Sequence, residues 1–120
     1  MTMNAGRTVD AAPGRTSAAM GSRVFAELWI SLASLFRSYT AAHGLHDNRH
    51  ATVTAGEEEI MVRHGEKWLC LERAGAIVTW TRENESSGKM EILDSGRLRS
   101  GASEEEMDLA AEAWARELMR

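Results

Sequence analysis

Cysteine is nearly absent from this chain: Cys70 is the only one in 120 residues. A single thiol excludes an intramolecular disulfide framework and fits a reducing, cytoplasmic compartment best. Long apolar runs are also missing. None approaches the roughly 18–20 residues needed to span a bilayer. Basic clusters are absent too, with 2 Lys and 12 Arg set against 14 Glu and 4 Asp, for a net charge of −4. A mildly acidic chain of this kind is a poor partner for nucleic acid or an anionic membrane surface. No Gly-rich phosphate loop and no Ser nucleophile elbow is present, so the familiar signatures of nucleotide and acyl-transfer enzymes are lacking.

What the chain does have is rhythm. Gly recurs at Gly56, Gly65, Gly75, Gly88 and Gly96, between runs rich in Val, Ile, Leu, Thr and Trp. These runs predict strands over Arg49–Ala55, Glu58–His64, Lys67–Arg73, Ala76–Glu83, Lys89–Leu93 and Arg97–Ser100. Two-residue loops at Gly56-Glu57, Gly65-Glu66 and Ala74-Gly75 pair Val53 with Ile60, Ile60 with Leu71, Val62 with Leu69 and Leu71 with Val78. A three-residue loop at Asp94-Ser95-Gly96 pairs Ile92 with Leu98. All these apolar residues then share one face, as a half-buried antiparallel sheet requires.

Helices flank the sheet. Phe25, Leu28, Trp29, Leu32, Leu35, Phe36 and Tyr39 recur at spacings of three and four. They predict an amphipathic helix from Ser22 to Ala42, with Ile30 the one apolar residue on its polar side and Gly44 its left-handed stop. Ser103 and Glu106 form a capping box opening a second helix, whose stripe is Met107, Ala110, Ala111, Trp114 and Leu118. Residues 1–21 carry no apolar signal core and read as a disordered or flexible arm ahead of one domain, 22–120. The expected fold is therefore an α+β two-layer sandwich: N-terminal helix, six-stranded antiparallel meander and C-terminal helix, with both helices on one sheet face.

That element order, from Ser22 to Arg120, is similar to that of frataxin-like domains. The resemblance implies a fold, and in that family iron handling goes with an acidic ridge on the first helix and first strand. Here the helix offers Glu27 alone, and Thr52 and Thr54 occupy the strand positions, so the function does not carry over with the topology.

Two sets of residues are candidates for chemistry. His43, His46, Asp47 and His50 offer imidazoles and a carboxylate, the ligands a divalent transition metal would use, although no characteristic metal-motif spacing accompanies them. The other set comes from the sheet registers, which turn Met61, Arg63, Trp68, Cys70 and Ile77 away from the core. An apolar patch rimmed by charge and carrying Trp and Arg is what protein interaction surfaces look like. The leading expectation is thus a non-catalytic interaction module that forms a homodimer or binds a protein partner through this outer face. Metal binding at the histidine loop is the alternative, and an enzyme with an unrecognised pocket the third.

Overall fold

In the computed structural model, residues 13–45 and 48–120 are described. The chain is an α+β domain ordered α1 (Pro13–Gly44), β1 (Thr52–Ala55), β2 (Glu59–His64), β3 (Lys67–Ala74), β4 (Ile77–Arg82), β5 (Ser87–Ile92), β6 (Arg97–Ser100), β7 (Ser103–Glu106) and α2 (Met107–Leu118). The strands form one antiparallel sheet in sequence order, β1 to β7. The expected meander is present with one strand more. Residues 1–12 of the expected arm lie outside the described residues, and α1 begins at Pro13, where the missing N–H of proline costs the helix nothing.

Glycine position decides the registers. The two-residue turns at Gly65-Glu66 and at Gly75-Ala76 each place a positive-φ Gly first. Because Gly75 leads its turn, Leu71 faces Trp80, two residues away from the expected Val78. Likewise the β1–β2 turn is tightest at Glu57-Glu58, and Val53 faces Val62 in place of Ile60. Gly56 has no positive φ; it precedes the turn, and its carbonyl accepts the Trp29 indole N–H at 3.0 Å. A slip of two residues preserves the face of every side chain, so the sheet's apolar face is as expected.

The seventh strand is a correction. Ser103–Glu106 is not the capping box of a helix, and α2 starts at Met107 without a side-chain cap. Gly101 (φ 62) leads another Gly-first turn and folds Ser103–Glu106 back on β6. Strand geometry puts Glu104 and Glu106 on one face, where Arg97 pairs with both, at 3.3 and 3.6 Å. In a helix they would point about 200° apart.

The core lies between sheet and helices. Trp29, Leu32 and Phe36 of α1 meet Ile60, Val62, Leu69, Leu71 and Val78, with Met107, Ala111 and Leu118 completing it from α2. Each large side chain so buried contributes about 1.5–3 kcal/mol. The helices run in the same direction: the Tyr39 hydroxyl donates to Asp108, and one turn on, His43 Nε2 meets Glu112 Oε2 at 2.9 Å. Trp114 stacks on Phe36 and meets the edge of Trp80, whose indole lies flat on Gly88, its partner across the β4–β5 ladder. No helix among the described residues is long and apolar enough to cross a membrane.

Candidate interaction face

Both helices cover one face of the sheet, and the other carries the outward residues of β1 to β4. Of Thr52, Thr54, Glu59, Met61, Arg63, Trp68, Cys70, Glu72, Ile77, Thr79 and Thr81, Cys70 alone is buried. The registers arrange them in rows across the strands. Arg63 faces Trp68 in one row, Thr54, Met61, Cys70 and Thr81 form the next, and Glu59, Glu72, Thr79 and Lys89 the third. Met61, Trp68 and Cys70 are thereby neighbours. Ile77, 44% exposed, is not; it sits one row further, beyond the charged third row.

Trp68 is anchored from behind. Its backbone N–H donates to Glu83 Oε1 at 3.0 Å, and its carbonyl accepts from Arg82 Nε at 3.2 Å. Arg82, buried at the end of β4, also reaches Glu117 of α2 at 3.0 Å. The Trp68 N–H and the Arg82 guanidinium together hold the Glu83 carboxyl below the usual carboxylate range. A single charged network therefore joins α2, through the sheet, to the strand that carries Trp68.

Cys70 is the least reactive kind of thiol. Burial pushes it up to about 11, helped by its hydrogen bond to Glu59 Oε2 at 3.6 Å and by the charges of Glu59 and Glu72. Alkylation by iodoacetamide at pH 8 is expected to run at least about tenfold slower than for a free thiol, the scarcity of thiolate outweighing its higher nucleophilicity. Mass spectrometry over time measures this; a rate near that of free cysteine would mean the strand opens.

Glu59 and Glu72 stand directly opposite each other on β2 and β3, and neither makes an ion pair among the described residues. Like charges so placed destabilise a sheet. With the Cys70 thiol they bring three donor atoms within 4.8 Å of one another, a group that register reasoning implied and the residue-by-residue reading passed over. The histidine loop is less gathered. His43 is engaged with Glu112, His50 is exposed, and His46 and Asp47 lie outside the described residues.

Sequence reasoning also missed a groove between α1 and the edge strand β1, lined by Ala26, Ile30, Ala33 and Arg37 on the helix side. Its one sequence signal was Ile30, apolar on a polar face and 65% exposed.

Comparison with protein-family models, curated proteins and solved structures returns no match.

Proposed function

We propose that this chain is a small non-catalytic interaction module that pairs with a second copy of itself through the open sheet face. One observation carries the reading. The apolar Met61–Cys70 row lies between a row holding the cation of Arg63 and a row holding the unpaired carboxylates of Glu59 and Glu72. A two-fold axis through the middle row sets Arg63 of each copy against Glu59 and Glu72 of the other. Such isologous pairing is the commonest way soluble chains associate. It offsets the like-charge juxtaposition of the two acids and covers the exposed side of Trp68, a frequent anchor residue in interfaces.

Sedimentation and light scattering test it. The wild type is expected to be a dimer at micromolar concentration, and Trp68→Arg a monomer with unchanged far-ultraviolet circular dichroism. Arg63→Glu alone should weaken the dimer, and adding Glu59→Arg and Glu72→Arg should restore it. A wild type that stays monomeric at high micromolar concentration refutes the self-pairing.

Metal binding at the histidine loop is the second reading, and the pairing of His43 with Glu112 favours a helix-packing role for that imidazole instead. Titration calorimetry with Zn²⁺ or Ni²⁺ decides it: saturable micromolar binding lost in His46→Ala supports a metal site.

A further inference from the structure

We propose that the seam between α1 and β1 binds an extended peptide, which adds to the sheet as a strand beside β1. The phase of the β1–β2 ladder supplies the first argument. The Gly56 N–H donates to the Glu59 carbonyl at 2.8 Å, so Gly56, Thr54 and Thr52 direct their backbone groups toward β2. Val53 and Ala55, between them, direct theirs to the open edge. No hydrogen bond among the described residues takes up these outward N–H and C=O groups.

The second argument is what lies beside that edge. A cavity of about 580 Å³ runs along α1, floored by Trp29 and walled by Ala26, Ile30 and Ala33. Beyond Arg37 a second hollow of about 290 Å³ continues the groove past Val53 and His50. A strand added to β1 would send alternate side chains to the face that α1 occupies, and the two alanines leave room there for β-branched ones. Groove plus ladder edge is the arrangement by which strand-addition domains take peptides: backbone bonds supply affinity, and pockets for alternate side chains supply specificity. A compact apolar ligand would use the walls and leave the ladder edge unmet.

Every ladder of the sheet is antiparallel, and the added strand is taken to continue that sense, so charge sets its two ends. Arg73 is occupied, its guanidinium donating to the Gly75 and Glu57 carbonyls and lying 5.7 Å from the centre of the Trp29 ring. Arg37 makes no ion pair among the described residues and stands toward the Val53 end of the groove. Glu57 stands at the Gly56 end. An antiparallel peptide therefore places a basic residue near its N-terminus, against Glu57, and a carboxylate at its C-terminal end, against Arg37. The chain binds basic–aliphatic–acidic segments in extended form.

The probe is a fluorescein-labelled peptide, Lys-Thr-Val-Thr-Val-Asp, followed by anisotropy against the full chain. Saturable binding is expected, with the charge-swapped peptide Asp-Thr-Val-Thr-Val-Lys at least tenfold weaker. Arg37→Glu should abolish that preference, Arg37→Glu with Glu57→Arg should invert it, and Ile30→Asp, at an exposed position that leaves the fold alone, should weaken both at least tenfold. N-methylating one alternate set of peptide amides should abolish binding, and methylating the other set should leave it. Trp68→Arg should change nothing, which separates this site from the outer face. Absence of saturable binding at millimolar peptide overturns the proposal, as does equal tolerance of both methylated sets. Self-association abolished by Ile30→Asp but not by Trp68→Arg, without peptide binding, overturns it in favour of a second copy at this edge.

Discussion

Trp29→Ala is expected to cost the fold about 3–5 kcal/mol, the range for truncating a fully buried tryptophan. Trp29 is 2% exposed and makes contacts of three kinds. Its ring packs in the core with Leu32 and Phe36, its N–H donates to the Gly56 carbonyl, and Arg73 lies over it. These contacts tie α1 to the β1–β2 turn and to β3 at once. A domain of this size holds on the order of 5–15 kcal/mol in total, so the alanine variant should be partly unfolded under mild conditions. Trp29→Phe keeps most of the apolar area and loses the hydrogen bond, leaving the Gly56 carbonyl short of a donor, for a loss of about 1–3 kcal/mol. Urea unfolding followed by circular dichroism measures both, and the midpoint shift should appear without a change in slope. A loss below about 1 kcal/mol for alanine would mean that α1 is not held to the sheet as described.

Alternation made most of this fold legible. Ile60, Val62, Leu69, Leu71 and Val78 fall on one face under any register that differs by two residues, so the core survived errors in two of the hairpins. The two errors have opposite sources: Gly56 precedes its turn, so reading it as the first turn residue shifts β1, whereas elsewhere Gly comes first. Gly leads the turns at Gly65, Gly75 and Gly101, and reading Ala74-Gly75 in place of Gly75-Ala76 shifts a register by two. The same order, Gly101-Ala102, marks the turn before β7. It was overshadowed by Ser103 and Glu106, which carry the local pattern of a helix cap and take on the role of a strand because Arg97 stands opposite Glu106. Local pattern lost to cross-strand partners there.

The candidate sites were legible to a lesser degree, for a physical reason. The outer face follows from the parity of side chains along strands, which a sequence displays. Its subdivision, with Ile77 cut off from Trp68 and Met61 by a charged row, follows from registers between strands. The α1–β1 groove depends on how far a helix sits from a sheet edge, which no single segment encodes. Ile30 was visible as an anomaly on α1, but only the neighbouring ladder edge gives the anomaly a use.

Gly44 provides the sharpest test of local reading against tertiary contact. As the left-handed stop of a helix, Gly44 would be replaceable by Asn at little cost and by Ala at about 1 kcal/mol. In the structure Asn48 takes the left-handed conformation (φ 53), and Gly44 has no positive φ. Gly44 is needed for closeness instead. The chain returns so that the Arg49 N–H donates to the Gly44 carbonyl at 2.9 Å, and a Cβ on Gly44 would lie 2.1 Å from the Arg49 carbonyl oxygen and 3.1 Å from Met119 Cε. The Met119 methyl can yield, but the backbone oxygen moves only if the whole connection to β1 moves. Alanine would favour the helix by about 1 kcal/mol, and the overlap outweighs it. Gly44→Ala is therefore expected to destabilise by about 2 kcal/mol or more, and Gly44→Asn by at least as much, since the larger side chain shares the same overlap. Asn48→Gly, relieving a positive φ on a non-glycine residue, should be neutral or slightly stabilising. Thermal unfolding of the three variants ranks them. Asn tolerated better than Ala at position 44 would restore the helix stop and remove the close return of Arg49.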